Sequence, residues 1–249
     1  MERDDLASLA GFFSGDEPVA RRTIALGEDA VHHARVRRLS IGDRVYVADG
    51  VGGRGTGSIE RVTKKEIEIS IDDVTRVGRA AEVHLLVPIA DRDRMLWCAE
   101  KCTELGATSW RAVMWNRSRS VSPRGEGESF RARVRARMKS ALVQAHAPWL
   151  PDLPDDASLD RALADLPEGG TRLALDASGS AIGLERVVAP VIIAVGPEGG
   201  IEPDELRLLR EASFRTVSLG ANVLRFETAA VAALAIVRSS LASSETTNG

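Results

Sequence analysis

Hydrophobic and polar positions follow two different patterns along the 249-residue chain, and the change falls near residues 75–80. Before the change, short stretches with β-branched residues or alternating polarity are separated by glycine-rich or polar turns, at 43–50, 56–62 and 65–71. Short strands joined by such turns are typical of a compact β-barrel. A basic stretch with a helical pattern, EDAVHHARVRRL, precedes them. We therefore predict a small β-rich domain over residues 1–76.

After the change, short apolar runs alternate with helical patterns. The predicted strands lie at 83–90, 111–115, 172–177, 191–196 and 215–220, and the predicted helices at 92–105, 130–145, 159–166, 204–212 and 227–240. Strands that alternate with helices predict a parallel sheet covered on both faces, here over residues 77–249. Ligands of such sheets bind beyond the carboxyl ends of the strands. Three predicted strand ends carry unusual residues and are expected to meet at one site: LDASGS, VGPEGGIEPDE and SLGANVLRFETAA.

The stretch VGPEGG, residues 195–200, ends an apolar run with three glycines and one carboxylate, Glu198. Glycine costs about 0.5–1 kcal/mol relative to alanine in a regular element, so the turn predicts unusual backbone dihedrals or a ligand pressed against the backbone. A helix start follows at Pro203, and helix starts behind glycines favour anions. However, the turn lacks the lysine and hydroxyl of a phosphate-binding loop, and Glu198 would repel phosphate. A neutral or cationic ligand fits better, and S-adenosylmethionine, with its sulfonium, is one.

The stretch SLGANVLRFETAA adds Arg225, Glu227 and Thr228 at the start of an alanine-rich helix. These three side chains are candidates for the same site. Two alternatives remain open: Arg225 and Glu227 form an ordinary ion pair at a helix start, and Thr228 only caps the helix.

The net charge of −3 alone argues against a polyanionic partner, but the charge is unevenly distributed. Residues 105–151 carry nine arginines and lysines against two glutamates, or +7, and the rest of the chain carries −10. Such segregation is the electrostatic footprint of binding to a phosphate backbone. In RARVRARMK, residues 131–139, three cations share one side of the helix and two more flank them: Arg131, Arg135 and Lys139, with Arg133 and Arg137 beside them. The one acid within four positions of the first three is Glu128, which precedes the stretch. These uncompensated charges predict a neutralising ligand; the alternative is a solvated helix face.

Composition and cysteine usage exclude several classes of protein. The hydrophobic fraction of 44% and the charged fraction of 28% are those of a globular protein. No apolar run approaches the roughly 18 residues that a spanning helix needs, and the start of the chain lacks a secretory pattern, which predicts a cytoplasmic protein with no membrane partner. Cys98 and Cys102 fall on the apolar stripe of the helix at 92–105, which predicts core cysteines. The four histidines show no metal-ligand spacing with them, so no metal is expected.

One motif match is rejected. Gly50, Gly52 and Gly55 fit the G-x-G-x-x-G fingerprint of dinucleotide-binding proteins. That fingerprint requires a strand before it and a helix after it, whereas here the glycines lead into a predicted strand. The glycines therefore predict a hairpin loop.

GPEGGIEPDEL, followed by SLGANVLRFETAA, closely resembles the paired signature of the bacterial 16S ribosomal RNA uridine N3-methyltransferase family, in the SPOUT superfamily of knotted methyltransferases. The resemblance covers nearly the whole chain. EDAVHHARVRRLSIGDRVYVADG resembles the amino-terminal, RNA-binding, PUA-like barrel of the family. RDRMLWCAEKCTELGATSW resembles its K-x-x-E-L-G helix, with matches at Lys101, Glu104, Leu105 and Gly106.

The resemblance implies an α/β fold: a parallel-sheet SPOUT methyltransferase domain over 77–249 with a carboxy-terminal trefoil knot, and a PUA-like β-barrel over 1–76. It also implies an obligate homodimer, a cofactor, S-adenosyl-L-methionine, bent within the knot, and 16S rRNA or the small ribosomal subunit as partner. The cofactor-binding residues carried over by motif are Leu175, Gly196, Gly199, Gly200, Ile201, Leu219, Gly220, Val223, Leu224, Arg225, Glu227, Thr228 and Ala229. RNA contacts are predicted at Arg35, Arg37, Arg38, Arg117, Arg119, Arg131, Arg135 and Lys139.

The mechanism implied is in-line methyl transfer to N3 of a uracil. Arg225 is predicted to complement negative charge near O2 or O4, and Glu198 or Glu227 to accept the N3 proton. Three family arginines are absent, since Gly11, Ala147 and Asn222 occupy their positions and Ala221 replaces a proline. These departures bear on the choice of nucleotide. The alternatives are a non-catalytic RNA-binding assembly factor and a nucleotide-dependent α/β enzyme.

Overall fold

The computed structural model describes residues 8–118, 126–184 and 186–247, and the chain forms two units. The first comprises Met1–Arg79 and Lys139–Leu150, and the second comprises Ala80–Met138 and Pro151–Gly249. The segment Lys139–Leu150 lies within the predicted 77–249 domain, yet it packs in the first unit.

The first unit is built on a five-stranded sheet. Its elements are β1 (Ala10–Phe13), β2 (Thr23–Leu26), α1 (Glu28–Val36), β3 (Arg44–Ala48), β4 (Gly53–Val62) and β5 (Ile67–Arg76). The strand order is β1-β3-β4-β5-β2, and only β1 and β3 pair in parallel. Apolar side chains from β3, β4, β5 and α1 form the core, among them Val45, Ile59, Ile69 and Val31. The β-rich amino-terminal segment is therefore confirmed, although β1 and β2 were not predicted.

The glycines that fit the dinucleotide fingerprint lie in a hairpin, as predicted. β3 and β4 are antiparallel, with Val47 opposite Gly55. Gly50 and Gly52 lie in the connection with φ of +77° and +99°, in the left-handed region that favours glycine. No helix follows them, so this stretch does not have the geometry that cradles a dinucleotide.

The segment Lys139–Leu150 is held in the first unit by polar and aromatic contacts. The Tyr46 ring stacks on His146 with centroids 4.7 Å apart, and the Tyr46 hydroxyl donates to the carbonyl of Val143. Burial raises the pKa of Tyr46 far above its ordinary value. Trp149 Nε1 donates to the carbonyl of Val77 at 2.9 Å. These long-range contacts are absent from a linear reading of the chain, which explains why the segment was assigned elsewhere.

The second unit is a parallel α/β sheet, as predicted. Its elements are β6 (Val83–Pro88), α2 (Arg92–Glu104), β7 (Ser109–Met114), α3 (Glu128–Gln144, whose last residues belong to the first unit), β8 (Ala157–Ser158), α4 (Leu159–Ala164), β9 (Thr171–Ala181), a 3₁₀ turn (Ile182–Leu184), β10 (Val191–Val195), α5 (Pro203–Glu211), β11 (Arg215–Ser218) and α6 (Phe226–Thr247). The strand order is β11-β9-β10-β6-β7-β8, and every pairing is parallel. β10 lies inside the sheet, and all five of its residues are buried.

Helix α6 packs in the core of this unit, with Ala230, Ala233, Leu234 and Val237 at most 1% exposed. Its window Phe226–Ser243, with a mean hydropathy of 1.3, is the one stretch among the described residues that is long and apolar enough to cross a membrane. The prediction that no stretch meets this measure is therefore wrong. The evidence for a span is weak because 44% of the window is buried inside the protein and core helices of soluble proteins pass the same test.

Cys98 and Cys102 are free and fully buried on α2, as predicted for core residues. Their sulfur atoms are 3.8 Å apart. Hydrogen bonding to Cys98 and burial both raise the pKa of Cys102, so this thiol stays protonated and unreactive near neutral pH. Within 8–118, 126–184 and 186–247, no group of three or more His, Cys, Asp or Glu side chains is placed to hold a metal ion.

Candidate functional site

A cavity of about 190 Å³ lies where β9, β10 and β11 leave the pairing region of the second unit. Its walls come from the end of β10, the glycine turn after it, the middle of β9 and the loop that follows β11. The lining residues are Leu175, Asp176, Ala177, Val195, Gly196, Pro197, Glu198, Gly200, Ile201, Val217, Ser218, Leu219, Gly220, Asn222, Val223, Leu224, Phe226 and Ala229. The three motifs that were expected to meet therefore do so.

The motif LDASGS does not lie at a strand end. β9 pairs with β10 as far as Leu175, then continues and pairs with β11 at Ser180 and Ala181. The register shifts between Thr216 and Val217, which leaves the intervening residues of β9 unpaired at the cavity. LDASGS is therefore an interrupted stretch inside a long strand, a feature that the apolar pattern does not reveal.

Nine of the thirteen predicted cofactor-binding residues line this cavity: Leu175, Gly196, Gly200, Ile201, Leu219, Gly220, Val223, Leu224 and Ala229. Glu198, predicted as catalytic, lines it as well. Gly199, Arg225, Glu227 and Thr228 do not. The sequence missed Asp176, Ala177, Val195, Pro197, Val217, Ser218, Asn222 and Phe226. Seven of them lie within the same three motifs, which was the available signal, and Val217 directly precedes the third motif.

The glycine turn after β10 needs its glycines for two reasons. A Cβ on Gly196 would lie 2.4 Å from Ile201 Cγ1, which no real contact allows. Gly200 has φ of +79°, and its amide donates to the carbonyl of Pro197 at 2.8 Å, closing a tight turn. The backbone of the turn at Gly196 therefore packs closely against the Ile201 side chain, as the glycine content of VGPEGG indicates.

The start of α5 is capped by carboxylates. Glu205 is 4% exposed and accepts from the amide of Glu202 at 2.9 Å and from the amide of Asn116 at 2.7 Å. The Glu202 side chain accepts in turn from the amide of Glu205. Because carboxylates already accept from the amides of Glu202 and Glu205, these two amides are not offered to a phosphate. Pro203 occupies the first turn, as predicted.

Arg117, predicted to contact RNA, touches the glycine turn. Its Nη1 donates to the carbonyl of Gly199 at 2.7 Å, and its Nε lies 3.3 Å from Glu202 Oε1. Asn116 Nδ2 donates to Glu202 Oε2 at 3.0 Å. The segment after β7 is therefore fastened to the turn at several points.

The ion pair considered between Arg225 and Glu227 is not formed. The Glu227 carboxylate faces Arg94, with Oε1 3.9 Å from Arg94 Nε, and its side chain is only 10% exposed. Arg94 also binds Glu198 through Nη1. Arg225 is exposed and has no salt bridge to any residue that the structure describes. Sequence reasoning missed Arg94, which lies in the first turn of α2.

The basic helix α3 is partly neutralised. Arg131 is 15% exposed, pairs with Asp155 and donates to the carbonyl of Leu153 at 3.1 Å. Arg137 lies 3.2 Å from Glu100. The premise of uncompensated charge is therefore wrong for these two arginines, because their carboxylate partners come from outside the helix and i, i+4 spacing cannot show them.

The other predicted RNA contacts lie in separate parts of the chain. Arg35, Arg37 and Arg38 are exposed on and after α1. Arg135 is exposed on α3, and Lys139 lies 4.5 Å from the centroid of the Phe13 ring. Arg119 lies outside the described residues.

Comparisons with known proteins place the chain in one family. A family model described as an RNA methyltransferase PUA domain matches residues 26–72. The ribosomal RNA small subunit methyltransferase E of Mycobacterium bovis is 29% identical over 227 residues, which cover 85% of this chain and 84% of its own. The enzyme of the same name from Synechocystis is 26% identical over 245 residues, covering 91% and 76%.

Solved structures give the same result. The crystal structure of ribosomal RNA small subunit methyltransferase E from Neisseria gonorrhoeae, bound to S-adenosyl methionine, matches with a TM-score of 0.84 at 26% identity, covering 93% of this chain and 97% of its own. The predicted resemblance to an rRNA methyltransferase family is therefore confirmed. Because the model described as an RNA methyltransferase domain matches residues 78–238, more than half of the chain, this protein belongs to the RNA methyltransferase family.

Proposed function

We propose that this protein transfers a methyl group from S-adenosylmethionine to N3 of a uridine in the 16S rRNA of the small ribosomal subunit. The observation that carries the proposal is the cavity at β9, β10 and β11, which gathers both motifs of the paired signature together with LDASGS. Relatives that cover most of the chain are named as small-subunit rRNA methyltransferases. Because ribosomal subunits are assembled in the bacterial cytoplasm, we also propose that the enzyme acts there.

The cavity suits a cationic or neutral cofactor better than a phosphate. Two carboxylates, Asp176 and Glu198, line it, and no lysine, arginine or histidine does among the residues described. Its other walls are glycine backbone and mainly apolar side chains, which can hold an adenine by main-chain groups and close contact. When bound, S-adenosylmethionine supplies an electrophilic methyl on a positively charged sulfur. The residues present fit that group.

We also propose that the chain around the cavity forms a deep trefoil knot. Knots require backbone segments to cross closely, and Gly179 supports such a crossing. A Cβ on Gly179 would lie 2.5 Å from the Thr216 carbonyl carbon, which belongs to β11. An experimental backbone trace that could be pulled straight without a crossing would refute the knot.

For the reaction, we assign Arg225 to the acceptor base. Arg225 stands between the cavity residues Leu224 and Phe226, and its exposed guanidinium has no salt bridge among the residues that the structure describes. There it can stabilise negative charge on uracil O2 or O4 as N3 loses its proton to a carboxylate, Glu198 or Glu227. Orientation of the two reactants supplies most of the remaining acceleration, since it can lower a barrier by about 7–11 kcal/mol. Asn222 stands in the cavity wall where the family has an arginine.

We propose a homodimer, as the resemblance implies. Large apolar side chains are exposed on α2 and in the loop before α6, namely Trp97 at 44%, Val223 at 93% and Leu224 at 36%. The helices α2 and α6 pack against each other. We expect Trp97→Glu to convert the dimer to a monomer in sedimentation, because a charge at a buried apolar contact is costly to desolvate. The exposed Val19→Glu, in the first unit, is the control and should stay dimeric; a monomeric wild type would refute the assignment.

RNA contacts are proposed at Arg35, Arg37, Arg38, Arg135 and Lys139, whereas the guanidinium of Arg131 is engaged within the protein. We expect Arg135→Ala to reduce the slope of log affinity against log salt by about one, since each phosphate contact releases one counterion. Arg131→Ala should leave the slope unchanged and lower the melting temperature, because the largely buried Arg131 side chain is lost together with its hydrogen bond to Leu153 and its ion pair with Asp155. Equal slopes for wild type and Arg135→Ala would exclude this role.

The function is tested by mapping methylation with mass spectrometry on 16S rRNA from cells that lack this protein, before and after treatment with the purified enzyme and S-adenosylmethionine. We expect one uridine to gain 3-methyl modification. RNA binding without methyl transfer to RNA or subunits would favour an assembly factor. Binding of ATP or NAD in calorimetry, with none of S-adenosylmethionine, would favour a nucleotide-dependent enzyme.

A further inference from the structure

We propose that Arg94 is a positioning residue that ties the glycine turn of the cavity to the start of α6. This inference rests on the proposed function, because it concerns the cavity assigned to S-adenosylmethionine. One guanidinium reaches two carboxylates on separate motifs. Arg94 Nη1 binds Glu198 of the turn, and Arg94 Nε lies 3.9 Å from Oε1 of Glu227.

The location of Arg94 on its own helix argues that these contacts, rather than helix stability, are its purpose. Arg94 lies in the first turn of α2, where the backbone already donates to the Asp91 cap at 3.1 Å. Positive charge at this end of a helix is disfavoured by the helix dipole. Arg94 is nevertheless a cation at this position. Its side chain is 33% exposed, and its guanidinium reaches across to the cavity loop.

The burial of the Glu227 side chain makes its ion pair with Arg94 important. The Glu227 side chain is 10% exposed, and its Oε2 is buried without a hydrogen-bond partner among the described residues. A buried carboxylate without a nearby cation is strongly disfavoured, and Arg94 is its ion-pair partner. Glu198, in contrast, is 57% exposed, and Arg94 is the cation that holds its side chain.

The charge balance gives a signature that a purely structural role would not produce. One cation against two carboxylates leaves a net negative charge beside the cavity, and removing the cation leaves two. Displacement of the glycine turn weakens the binding of any ligand in the cavity. The added negative charge offsets part of this loss when the ligand carries a sulfonium. S-adenosylhomocysteine lacks the methyl and its positive charge, so it reports on position alone.

The test is calorimetric titration of Arg94→Gln with S-adenosylhomocysteine and with S-adenosylmethionine. We expect the affinity for S-adenosylhomocysteine to fall about tenfold or more and that for S-adenosylmethionine to fall less, so that their ratio changes. If Arg94 acts through Glu198, the double variant Arg94→Gln, Glu198→Gln should bind S-adenosylhomocysteine no more weakly than the worse single variant.

The matched control is Arg92→Gln in the same helical turn. Arg92 pairs with Glu126 at 2.5 Å, and Glu126 does not line the cavity. We expect this variant to lower the melting temperature without changing either affinity. An Arg94→Gln protein that binds both ligands like the wild type would overturn the inference. So would a parallel loss of both affinities with an unchanged ratio. A wild type that binds neither ligand would instead refute the proposed function.

Discussion

Arg225→Ala is expected to reduce methyl transfer by about 100- to 1000-fold while leaving RNA affinity unchanged. Removal of one preorganised group that stabilises developing charge typically costs this much, roughly 3–4 kcal/mol in the barrier. The structure favours a role in the transition state over a role in folding, because Arg225 is exposed and has no salt bridge within the described chain. The measurement is single-turnover methylation of 16S rRNA at saturating cofactor, with RNA affinity measured in parallel.

A matched variant separates the loss of a catalytic cation from the loss of any surface arginine. Arg207 on α5 is also exposed, at 65%, and its ion-pair partners within the described chain are the neighbouring acids Asp204 and Glu211. Arg207→Ala should methylate at the rate of the wild type. Because Arg225 does not line the cavity, Arg225→Ala should also bind S-adenosylmethionine normally. A rate for Arg225→Ala within tenfold of the wild type would remove Arg225 from the mechanism.

Most elements of the second unit could be predicted because their patterns are local, although the two-residue strand β8 was missed. The buried run at β10 and the periodic stripe of α2 both appear in the linear chain, and the helix start at Pro203 follows from proline chemistry. The short strands β1 and β2 were missed. Each has four residues and lies at an edge of the first sheet, where one side is unpaired and burial is incomplete. Short edge strands carry little alternation.

The site was predictable in its backbone and not in its side-chain pairing. Glycine spacing identifies the turn at 196–200 because only glycine fits there, and the turn does line the cavity. The partner of Glu227 was not predictable, since Arg94 lies over a hundred residues away along the chain. The same limit explains Arg131, whose acid, Asp155, belongs to a different segment. Ion pairs of long sequence separation depend on the fold, whereas turns depend on local dihedrals.

Gly196→Ala is expected to weaken S-adenosylmethionine binding by about 10- to 100-fold. The added methyl would lie 2.4 Å from Ile201 Cγ1, and Ile201 is 7% exposed and has little room to move. Overpacking of this kind costs about 1–3 kcal/mol, and the strain falls on the turn that forms the cavity wall. Because 1.4 kcal/mol corresponds to a factor of ten, the predicted loss is readily measured by calorimetry.

Two further variants show whether the clash itself causes the loss. Gly183→Ala places a methyl where no atom lies within 4 Å, so it should bind like the wild type. Ile201→Ala removes the atoms that the new methyl would strike, so the double variant Gly196→Ala, Ile201→Ala should bind more tightly than Gly196→Ala alone. Rescue is expected to be partial, since Ile201 also lines the cavity and its loss removes apolar contact. If the double variant is weaker than both single variants, close packing of Gly196 against Ile201 is not what shapes the cavity. The glycine would then be required for direct approach of the cofactor to its backbone.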